Sequence, residues 1–187
     1  VIDYPFNPGE LVIGARGTFF ARAIDTQSKQ LQDVCMHMAA HDGAAVVEVL
    51  QNCVIFNDGT HKEVTDKEVR DDRQLWLEHG KPMIFGKNKD KGIVLRGTKL
   101  EVVTIGENGI NEKDILVHDE TTENTGIHMM LAQMRPPEFP MAFGVIRAYK
   151  QPTYNQLFEK QMQEAQENAK IKCVDDLLNS GETWEVK

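Results

Sequence analysis

Residues 18–50 carry the pattern that most restricts how this chain can fold. A β-rich stretch at 18–24 is followed by a helical stripe at 29–42 and by a nearly continuous apolar run at 44–50. Apolar residues that recur at spacings of three and four are typical of a helix with one buried face. A strand, a helix of about four turns and a second strand predict a right-handed βαβ unit with parallel strands. The apolar run predicts a strand that is buried on both faces.

The flanking sequence predicts shorter elements. Asn7 and Pro8 are typical of the N-cap and first position of a helix, and Gly17 fits the end of that helix. The elements predicted after residue 58 are helices at 65–79, 122–135 and 153–172 and strands at 82–86, 92–96, 99–105, 115–118 and 143–149. Glycine-containing and charged turns separate the four strands between 82 and 118, which favours antiparallel pairing. The helix at 153–172 is long and amphipathic.

Composition disfavours several classes of protein. Of 187 residues, 41% are hydrophobic and 27% are charged, as in ordinary globular proteins and unlike disordered or fibrous chains. The 29 acidic residues outnumber the 21 basic ones, and a net charge of −8 disfavours nucleic acid as the main partner. No apolar run approaches the roughly 18 residues of a membrane-spanning helix, and no signal peptide is recognisable. Three widely spaced cysteines predict no disulfide framework and favour a reducing cytoplasm.

Charge is unevenly distributed along the chain. Residues 81–99 hold six basic residues and one acid, whereas residues 107–123 hold six acids and one lysine. Two solvated faces of opposite sign explain this pattern without any binding function. Alternatively, the basic segment 81–99 is a local patch on an acidic protein and docks an acidic partner.

Histidines provide two weak candidates for a metal or catalytic site. His37 and His41 are four residues apart on the predicted helix, so one face could present both to a metal, but Met38 replaces the glutamate of the HExxH motif. Two surface histidines are the alternative. Residues 118–120 (His-Asp-Glu) follow a predicted strand and could supply ligands or a base, or could simply form a polar strand end. The sequence contains no glycine-rich phosphate loop and no GxSxG nucleophile motif.

Cys53 lies just past the C-terminal end of the second predicted strand. In open α/β sheets, ligands and cofactors bind at that edge. A thiolate at this position could bind iron or another soft metal, and a buried, unreactive thiol is the alternative. A [4Fe–4S] cluster needs four thiolates. Since Cys35 lies on the helical stripe and Cys173 near a distant helix end, the chain is not expected to hold such a cluster alone.

Several stretches together resemble the β subunit of the 2-oxoacid:ferredoxin oxidoreductases, most closely of the 2-oxoglutarate synthase type. They are IDYPFNP at 2–8, GTFFAR at 17–22, VEVLQNCVIFNDG at 47–59, GKPMIFG at 80–86, ILVHDE at 115–120 and PMAFGVIR at 140–147. Their order and spacing make the resemblance specific, and it extends over nearly the whole chain.

The resemblance implies an enzyme that decarboxylates a 2-oxoacid on thiamine diphosphate, or runs the reverse reaction and fixes CO2. Such enzymes transfer the acyl group to coenzyme A and pass electrons through a [4Fe–4S] cluster to ferredoxin. Their β subunit binds thiamine diphosphate and Mg2+ and pairs with an α subunit. In cluster-bearing members, a CxxC pair and a third cysteine lie early in the subunit, and the fourth ligand lies in the loop that matches residues 51–53. The resemblance therefore implies that Cys53 is a cluster ligand in the intact protein.

The sequence also departs from the family pattern. The early cysteines are absent, as is the GDG…N segment that holds the diphosphate through Mg2+, so the chain is expected to be roughly the C-terminal half of the subunit. The predicted fold class is α/β. Residues 1–58 are expected to end the thiamine-diphosphate-binding, doubly wound parallel sheet, and residues 59–187 to form a C-terminal α+β extension. No catalytic residue is assigned, and the isolated chain is expected neither to decarboxylate nor to carry a full cluster; binding of thiamine diphosphate by the isolated chain would count against this expectation.

Partners follow from the same resemblance. An incomplete parallel sheet exposes an edge that other strands must cover, which favours an oligomer or association with the α subunit. Ferredoxins are acidic, so the basic segment 81–99 is a candidate docking site for ferredoxin. Two alternatives stay open: an interaction or assembly module that lost the catalytic half, and a relative specific for pyruvate or an aryl pyruvate. The gene sequence upstream of Val1 distinguishes the module from the enzyme.

Overall fold

The computed structural model describes residues 2–3, 5–184 and 186. Val1, at which the chain opens, and Tyr4, which belongs to the first matching stretch, lie outside the described residues. The strands are β1 (Phe19–Ile24), β2 (Ala45–Leu50), β3 (Gln74–Leu77), β4 (Ile84–Phe85), β5 (Lys91–Arg96), β6 (Lys99–Thr104) and β7 (Met141–Ala148). The helices are α1 (Pro8–Gly14), α2 (Ser28–Ala39), α3 (Lys62–Thr65), α4 (Arg70–Arg73), α5 (Gly126–Gln133), α6 (Tyr154–Glu167) and α7 (Val174–Leu178), with a 3-10 turn at Glu112–Asp114.

A four-stranded sheet has the strand order β2-β1-β7-β3. β1 and β2 are parallel, with Phe19 opposite Ala45, and α2 connects them, so the predicted βαβ unit is confirmed. β7 runs antiparallel to β1 and parallel to β3. The sheet is therefore mixed, and it brings strands from distant parts of the sequence side by side.

The side chains of β1 alternate between two hydrophobic layers, as the two-residue period of a strand requires. Phe19 packs with Val34 of α2 on one face of the sheet. Phe20 packs with Ile13 of α1 and Leu131 of α5 on the other face. All six residues of β1 are buried. Helices thus cover both faces of the sheet, which confirms the predicted α/β fold class.

The burial predicted for β2 is wrong in this structure. β2 is the edge strand of the sheet, and its Val46 and Val49 remain 40% and 41% exposed. The strand that is buried on both faces is β1, which lies between β2 and β7. Burial of a strand depends on the order of strands in the sheet, and an apolar run does not encode that order.

A second, antiparallel sheet contains β4, β5 and β6, as the turns between them predict. The strand predicted at 115–118 is wrong, because this segment makes an isolated bridge between Val117 and Pro82. The helix predicted at 65–79 is also wrong, since the segment begins at the end of α3, forms the one-turn helix α4 and then continues as β3. β3 pairs with β7 from Gln74 onward. Pairing with a distant strand overrides the weak helical pattern there.

The chain forms two compact units, Val1–Lys150 and Gln151–Lys187. The second unit contains α7 and the predicted long helix, which is confirmed as α6 but ends at Glu167. The domain boundary predicted at residue 58 refers to the complete subunit and stays a prediction. Within the part of the chain that the structure describes, no helix is long and apolar enough to cross a membrane.

Candidate functional site at the carboxyl end of the parallel strands

The loop after β2 carries Cys53, the metal ligand predicted from the sequence. Cys53 and Asn57 form an isolated antiparallel bridge in which the Asn57 amide donates to the Cys53 carbonyl at 2.9 Å. Asn52 closes the loop: its side-chain oxygen accepts from the Gly59 amide at 2.8 Å, and its side-chain nitrogen donates to the Asp58 carboxylate at 2.9 Å. These bonds hold the loop in a closed turn. Sequence reasoning missed the role of Asn52, although the Asn-Asp-Gly at 57–59 is a turn signal.

Backbone amides lie around the Cys53 sulfur. Their hydrogen bonds, from Phe56 first and then from Ile55 and Asn57, lower the pKa of the Cys53 thiol below its ordinary value. The thiolate is the form that binds metals and acts as a nucleophile. The residue is partly exposed. The loop therefore presents an accessible sulfur with increased thiolate character.

The tip of the same loop is apolar. Val54, Ile55 and Phe56 are 73%, 83% and 89% exposed. Contiguous apolar side chains at such exposure are typical of a surface that contacts another molecule. The sulfur of Cys53 thus lies beside a surface that is suited to an interface.

A cleft of about 220 Å³ lies at the carboxyl ends of β1 and β2. The Asp25 amide donates to the Leu50 carbonyl at 3.1 Å and joins the two strand ends there. The cleft is lined by Asp25, Thr26, Leu50, Asn52, Gly59, His61, Lys62, Thr65 and Asp66. Asn52 therefore belongs both to the cleft wall and to the Cys53 loop. Polar side chains of both charges could bind a small polar ligand at this edge, which is where open α/β sheets bind ligands.

Comparison with known proteins identifies a relative that matches along the whole chain and two that match 36% of it. No family model matches. The 2-oxoglutarate oxidoreductase subunit KorB of Mycobacterium tuberculosis is 34% identical over 188 residues, which is 99% of this chain and 50% of that protein. The β subunits of 2-oxoacid:ferredoxin oxidoreductases from Saccharolobus solfataricus and a Sulfolobus species are 37% and 36% identical over 68 residues. This chain is homologous to the β subunits of 2-oxoacid:ferredoxin oxidoreductases. The family resemblance seen in the sequence is confirmed.

A solved structure supports the fold. The 2-oxoglutarate:ferredoxin oxidoreductase from Magnetococcus marinus, with 2-oxoglutarate, coenzyme A and succinyl-CoA bound, superposes with a TM-score of 0.56 at 16% identity. The match covers 96% of this chain and 45% of the M. marinus chain. This homologue of the oxidoreductase β subunits thus spans about half the length of the M. tuberculosis and M. marinus proteins.

The cysteines of this β-subunit homologue do not fit a complete iron–sulfur cluster. Among the described residues, no three His, Cys, Asp or Glu side chains come together in a way that could hold a metal ion. Cys35 lies on α2, and Cys173 is the N-cap of α7, where its sulfur accepts from the Asp176 amide at 3.4 Å. Since a [4Fe–4S] cluster needs four thiolates, Cys53 could supply one ligand and the other ligands would come from elsewhere.

The structure does not bring His37 and His41 together. His41 Nε2 lies 2.9 Å from the Thr18 hydroxyl, and its ring packs against Phe19 with 5.2 Å between centroids. Burial lowers the pKa of His41. His37 is exposed and lines a separate groove together with Glu120. His37 is therefore a surface histidine, as the alternative prediction had it, whereas His41 contacts Thr18 and Phe19 and has a structural role.

His118 is a buried structural residue. It is 1% exposed, and its Nε2 lies 2.8 Å from the Val145 carbonyl, so Nε2 carries the proton. Burial lowers the pKa of His118 to about 4. Its Nδ1 has no hydrogen-bond partner among the described residues. Neighbouring His128 is fixed in the same tautomer, because its Nε2 contacts the Asp119 carbonyl at 2.8 Å and its Nδ1 accepts from Arg147 at 3.1 Å.

The basic segment 81–99 is partly neutralised in the fold. Lys91 and Arg96 form ion pairs with acidic neighbours at 2.8 and 3.0 Å. Lys87 and Lys89 line an open groove of about 710 Å³ beside α2. These two lysines are therefore among the basic residues of the segment that remain accessible to a partner.

Sequence reasoning missed a polar network beside that groove. Gln74 is buried, and its side-chain nitrogen donates to the Val64 carbonyl at 2.6 Å. Its side-chain oxygen accepts from Gln27 at 2.8 Å and from the Trp76 indole at 2.9 Å. The Trp76 ring also stacks on Phe143 and lines the groove. A single glutamine in the sequence carries no signal of such a role, since all of its partners are set by the fold.

Proposed function

We propose that this chain is part of the β subunit of a 2-oxoglutarate:ferredoxin oxidoreductase. The observation that carries the proposal is the 34% identity with the M. tuberculosis 2-oxoglutarate oxidoreductase subunit over 99% of the chain. In the proposed reaction, 2-oxoglutarate loses CO2, the succinyl group passes to coenzyme A, and the two electrons released reduce ferredoxin. The reverse reaction fixes CO2.

Thiamine diphosphate, Mg2+ and the α subunit belong to the proposed intact enzyme. The GDG…N segment that would hold the diphosphate is absent from this sequence, so this chain is proposed to contribute residues 1–58 to the cofactor-binding domain and residues 59–187 as an extension. The proposed compartment is the cytoplasm, since Cys35, Cys53 and Cys173 are free thiols. When bound, thiamine diphosphate supplies the carbanion chemistry of the decarboxylation.

Anaerobic reconstitution tests the proposed reaction. The chain is co-expressed with the remainder of the β subunit and with the α subunit, and ferredoxin reduction is followed with 2-oxoglutarate or pyruvate in the presence of coenzyme A. We expect a brown complex that reduces ferredoxin faster with 2-oxoglutarate than with pyruvate. Preference for pyruvate or an aryl pyruvate would identify a relative of different specificity. Equal activity without this chain would identify an assembly module.

We further propose that Cys53 is one ligand of a [4Fe–4S] cluster in the intact enzyme. Its position after β2 supports this role, as does the lowered pKa that the Phe56, Ile55 and Asn57 amides give the thiol. Amide hydrogen bonds to the sulfur also tune the reduction potential of such clusters. The apolar loop tip would shield the cluster from water once covered.

A matched pair of cysteine variants tests the ligand role. In the reconstituted complex, Cys53→Ser is expected to reduce the iron content and the visible absorbance of the cluster, because a ligand is lost. Cys35→Ser, on α2, serves as the control and should retain both. Full cluster content in the Cys53→Ser complex would contradict the assignment while leaving the proposed reaction intact.

A further inference from the structure

The face of the four-stranded sheet that carries α2 is only partly covered by helices. α2 packs on β1 and reaches β7, where Val34 contacts Val145. α3 covers the other end of the same face, where its Val64 packs with Phe143. Between α2 and the residues that follow β3, the described part of the chain leaves an open groove of about 530 Å³. This acidic groove is lined by Asp33, Met36, Trp76, Glu78, Glu120 and Val145, among others.

The floor of the acidic groove is apolar and about as wide as a helix. Trp76 of β3, which stacks on Phe143, and Val145 of β7 lie along this floor. Met36 of α2 adds an apolar side chain that is 65% exposed. Neighbouring strands lie about 4.8 Å apart, so β7 and β3 together offer about the 10 Å that a packed helix occupies. The open floor therefore has room for a further helix beside α2.

Carboxylates lie on both sides of the acidic groove. Asp33 belongs to α2, Glu78 follows β3, and Glu120 lies in the loop before α5. Among the described residues that line the groove, the other ionisable side chains are His37 and His79, so no lysine or arginine neutralises the carboxylates there. Burial raises the pKa of the Glu120 carboxyl group, and the two histidines only partly offset this effect. A cation in the groove would therefore stabilise the ionised form of Glu120.

We propose that the acidic groove binds an amphipathic helix of another protein, with lysine or arginine along both flanks of its apolar face. The apolar face of that helix packs on Trp76 and Val145. Its flanks meet Asp33 on one side of the groove and Glu78 and Glu120 on the other. Helix-in-groove recognition combines such apolar contacts with complementary charges, which select the partner.

Charge also argues against a second copy of this chain as the partner. α6, the longest described helix, contains three glutamates and one lysine. α2 contains one lysine and one aspartate, and the charged residues of α1 and α7 are acidic. Among the described helices, none has a positive net charge. The complementary helix therefore belongs to a different chain, and this inference does not rest on the proposed oxidoreductase activity.

Binding of a model helix to the full chain tests the proposal. The probe is a dye-labelled peptide of about 14 residues, or about 21 Å as a helix, with a leucine stripe flanked by lysines. We expect fluorescence anisotropy to show a dissociation constant of roughly 10 to 100 µM at low salt. A peptide with glutamate in place of lysine, and a lysine peptide of scrambled order, should each bind about tenfold more weakly or worse. Equal binding of the lysine peptide and either of these would overturn the proposal.

Matched charge variants locate the binding surface. Asp33→Lys combined with Glu78→Lys reverses one exposed carboxylate on each side of the groove and should weaken lysine-peptide binding about tenfold or more. Glu107→Lys combined with Glu112→Lys makes the same change at exposed positions away from the groove and should weaken binding less than about twofold. Circular dichroism checks that both proteins stay folded. Equal weakening by the two pairs would overturn the proposal. A dimer in sedimentation velocity that only the first pair abolishes would identify a second copy as the occupant and overturn it as well.

Covalent coupling tests where the peptide lies. Met36→Cys and Leu11→Cys are prepared separately with Cys35, Cys53 and Cys173 replaced by serine, and each is treated with the lysine peptide carrying a chloroacetyl group in its leucine stripe. Leu11 is 62% exposed, similar to Met36, but it lies on α1, which covers the other face of the sheet. We expect alkylation of Met36→Cys to be about tenfold faster or more, because binding raises the effective concentration of the peptide there. Equal rates at the two positions would overturn the proposed site.

Discussion

Arg22 shows how a single buried charge is accommodated in this fold. It is fully buried in β1, and its Nε donates to the Glu48 carboxylate of β2 at 2.6 Å. Its terminal nitrogens donate to the carbonyls of Ala142 and Ala132 at 3.2 and 3.3 Å. A buried guanidinium is tolerated only when it is paired and hydrogen-bonded. The residue therefore links β1, β2, β7 and α5.

Glu48→Ala is expected to lower the free energy of unfolding by about 3 kcal/mol or more, because Arg22 stays buried without its carboxylate. Urea denaturation measures the change. Asp72→Ala is the control: it removes the exposed ion pair with Lys91, which is 2.8 Å long against 2.6 Å for the buried pair, and should cost below about 1 kcal/mol. Similar losses in the two variants would show that burial does not determine how much the loss of each ion pair destabilises the protein.

Because burial lowers the pKa of His118, the protein is expected to lose stability as the pH falls from about 6.5 to about 4. Its pKa is about 4 in the fold, against an ordinary value of 6.5. Between these values the unfolded chain binds a proton that the folded chain does not, so stability is complete above the upper value and declines below it. The full difference corresponds to about 3 kcal/mol.

Unfolding curves at several pH values check this prediction. His118→Gln should flatten the dependence in this window, although His41 and His128, whose pKa values are also lowered by burial, keep part of it. His37→Gln, at an exposed position, should leave the dependence unchanged. An unaltered slope in His118→Gln would exclude this histidine as the cause.

At the scale of elements, Gly144 allows β7 to lie beside β3. Gly144 pairs with Leu77 and has a φ of 90°, a conformation that residues with a Cβ adopt at a cost. A Cβ added there would lie 2.8 Å from the Leu77 carbonyl oxygen. Backbone conformation and strand packing thus require glycine at the same position.

Gly144→Ala is expected to destabilise the protein by about 3 kcal/mol, since strain and steric overlap with β3 add. Gly97→Ala is the matched control, because Gly97 also has a positive φ of 61° but nothing within 4 Å of an added Cβ. It should cost about 1 kcal/mol, from strain alone. Thermal or urea unfolding of both variants measures the difference. Equal losses of stability would show that β3 shifts enough to remove the overlap between the added Cβ and Leu77.

At the scale of the molecule, opposite charges are separated along an acidic chain. The net charge is −8, yet the basic segment 81–99 leaves Lys87 and Lys89 open in the groove beside α2. Ion pairs occupy Lys91 and Arg96 of the same segment. Long-range attraction of an acidic partner is therefore expected to depend on the lysines of this segment that form no ion pair within the described part of the chain, Lys87 and Lys89 among them.

In the reconstituted enzyme, Lys87→Glu combined with Lys89→Glu should slow ferredoxin reduction several-fold at low salt. The effect should shrink above about 0.1 M salt, where charges further apart than about 10 Å are screened. Reversal of Lys113 and Lys150 is the control with an equal charge change. A small uncharged electron acceptor should be reduced at the original rate. An unchanged rate with ferredoxin would remove the docking hypothesis.

Local structure was the most predictable part of this protein. The stripe of α2, the Asn7 cap of α1 and the turns of the antiparallel sheet depend on neighbouring residues, and the structure contains all three. The prediction of a helix at 65–79 was wrong because residues 74–77 form a strand, β3, that is stabilised by pairing with β7. The bonds around Gln74 could not be predicted either, because they join segments that become neighbours only in the fold.

By itself, the sequence determined the βαβ unit, the α/β class, the resemblance to the oxidoreductase β subunits and the position of Cys53 after a strand, since periodicity and motif order are local properties of the chain. The tertiary structure decided that β1, and not β2, is the fully buried strand, because β7 arrives from the far end of the first unit and pairs beside it. It also decided which charges are neutralised and which remain open. Those outcomes depend on strand order and on contacts across the fold, which no run of residues specifies alone.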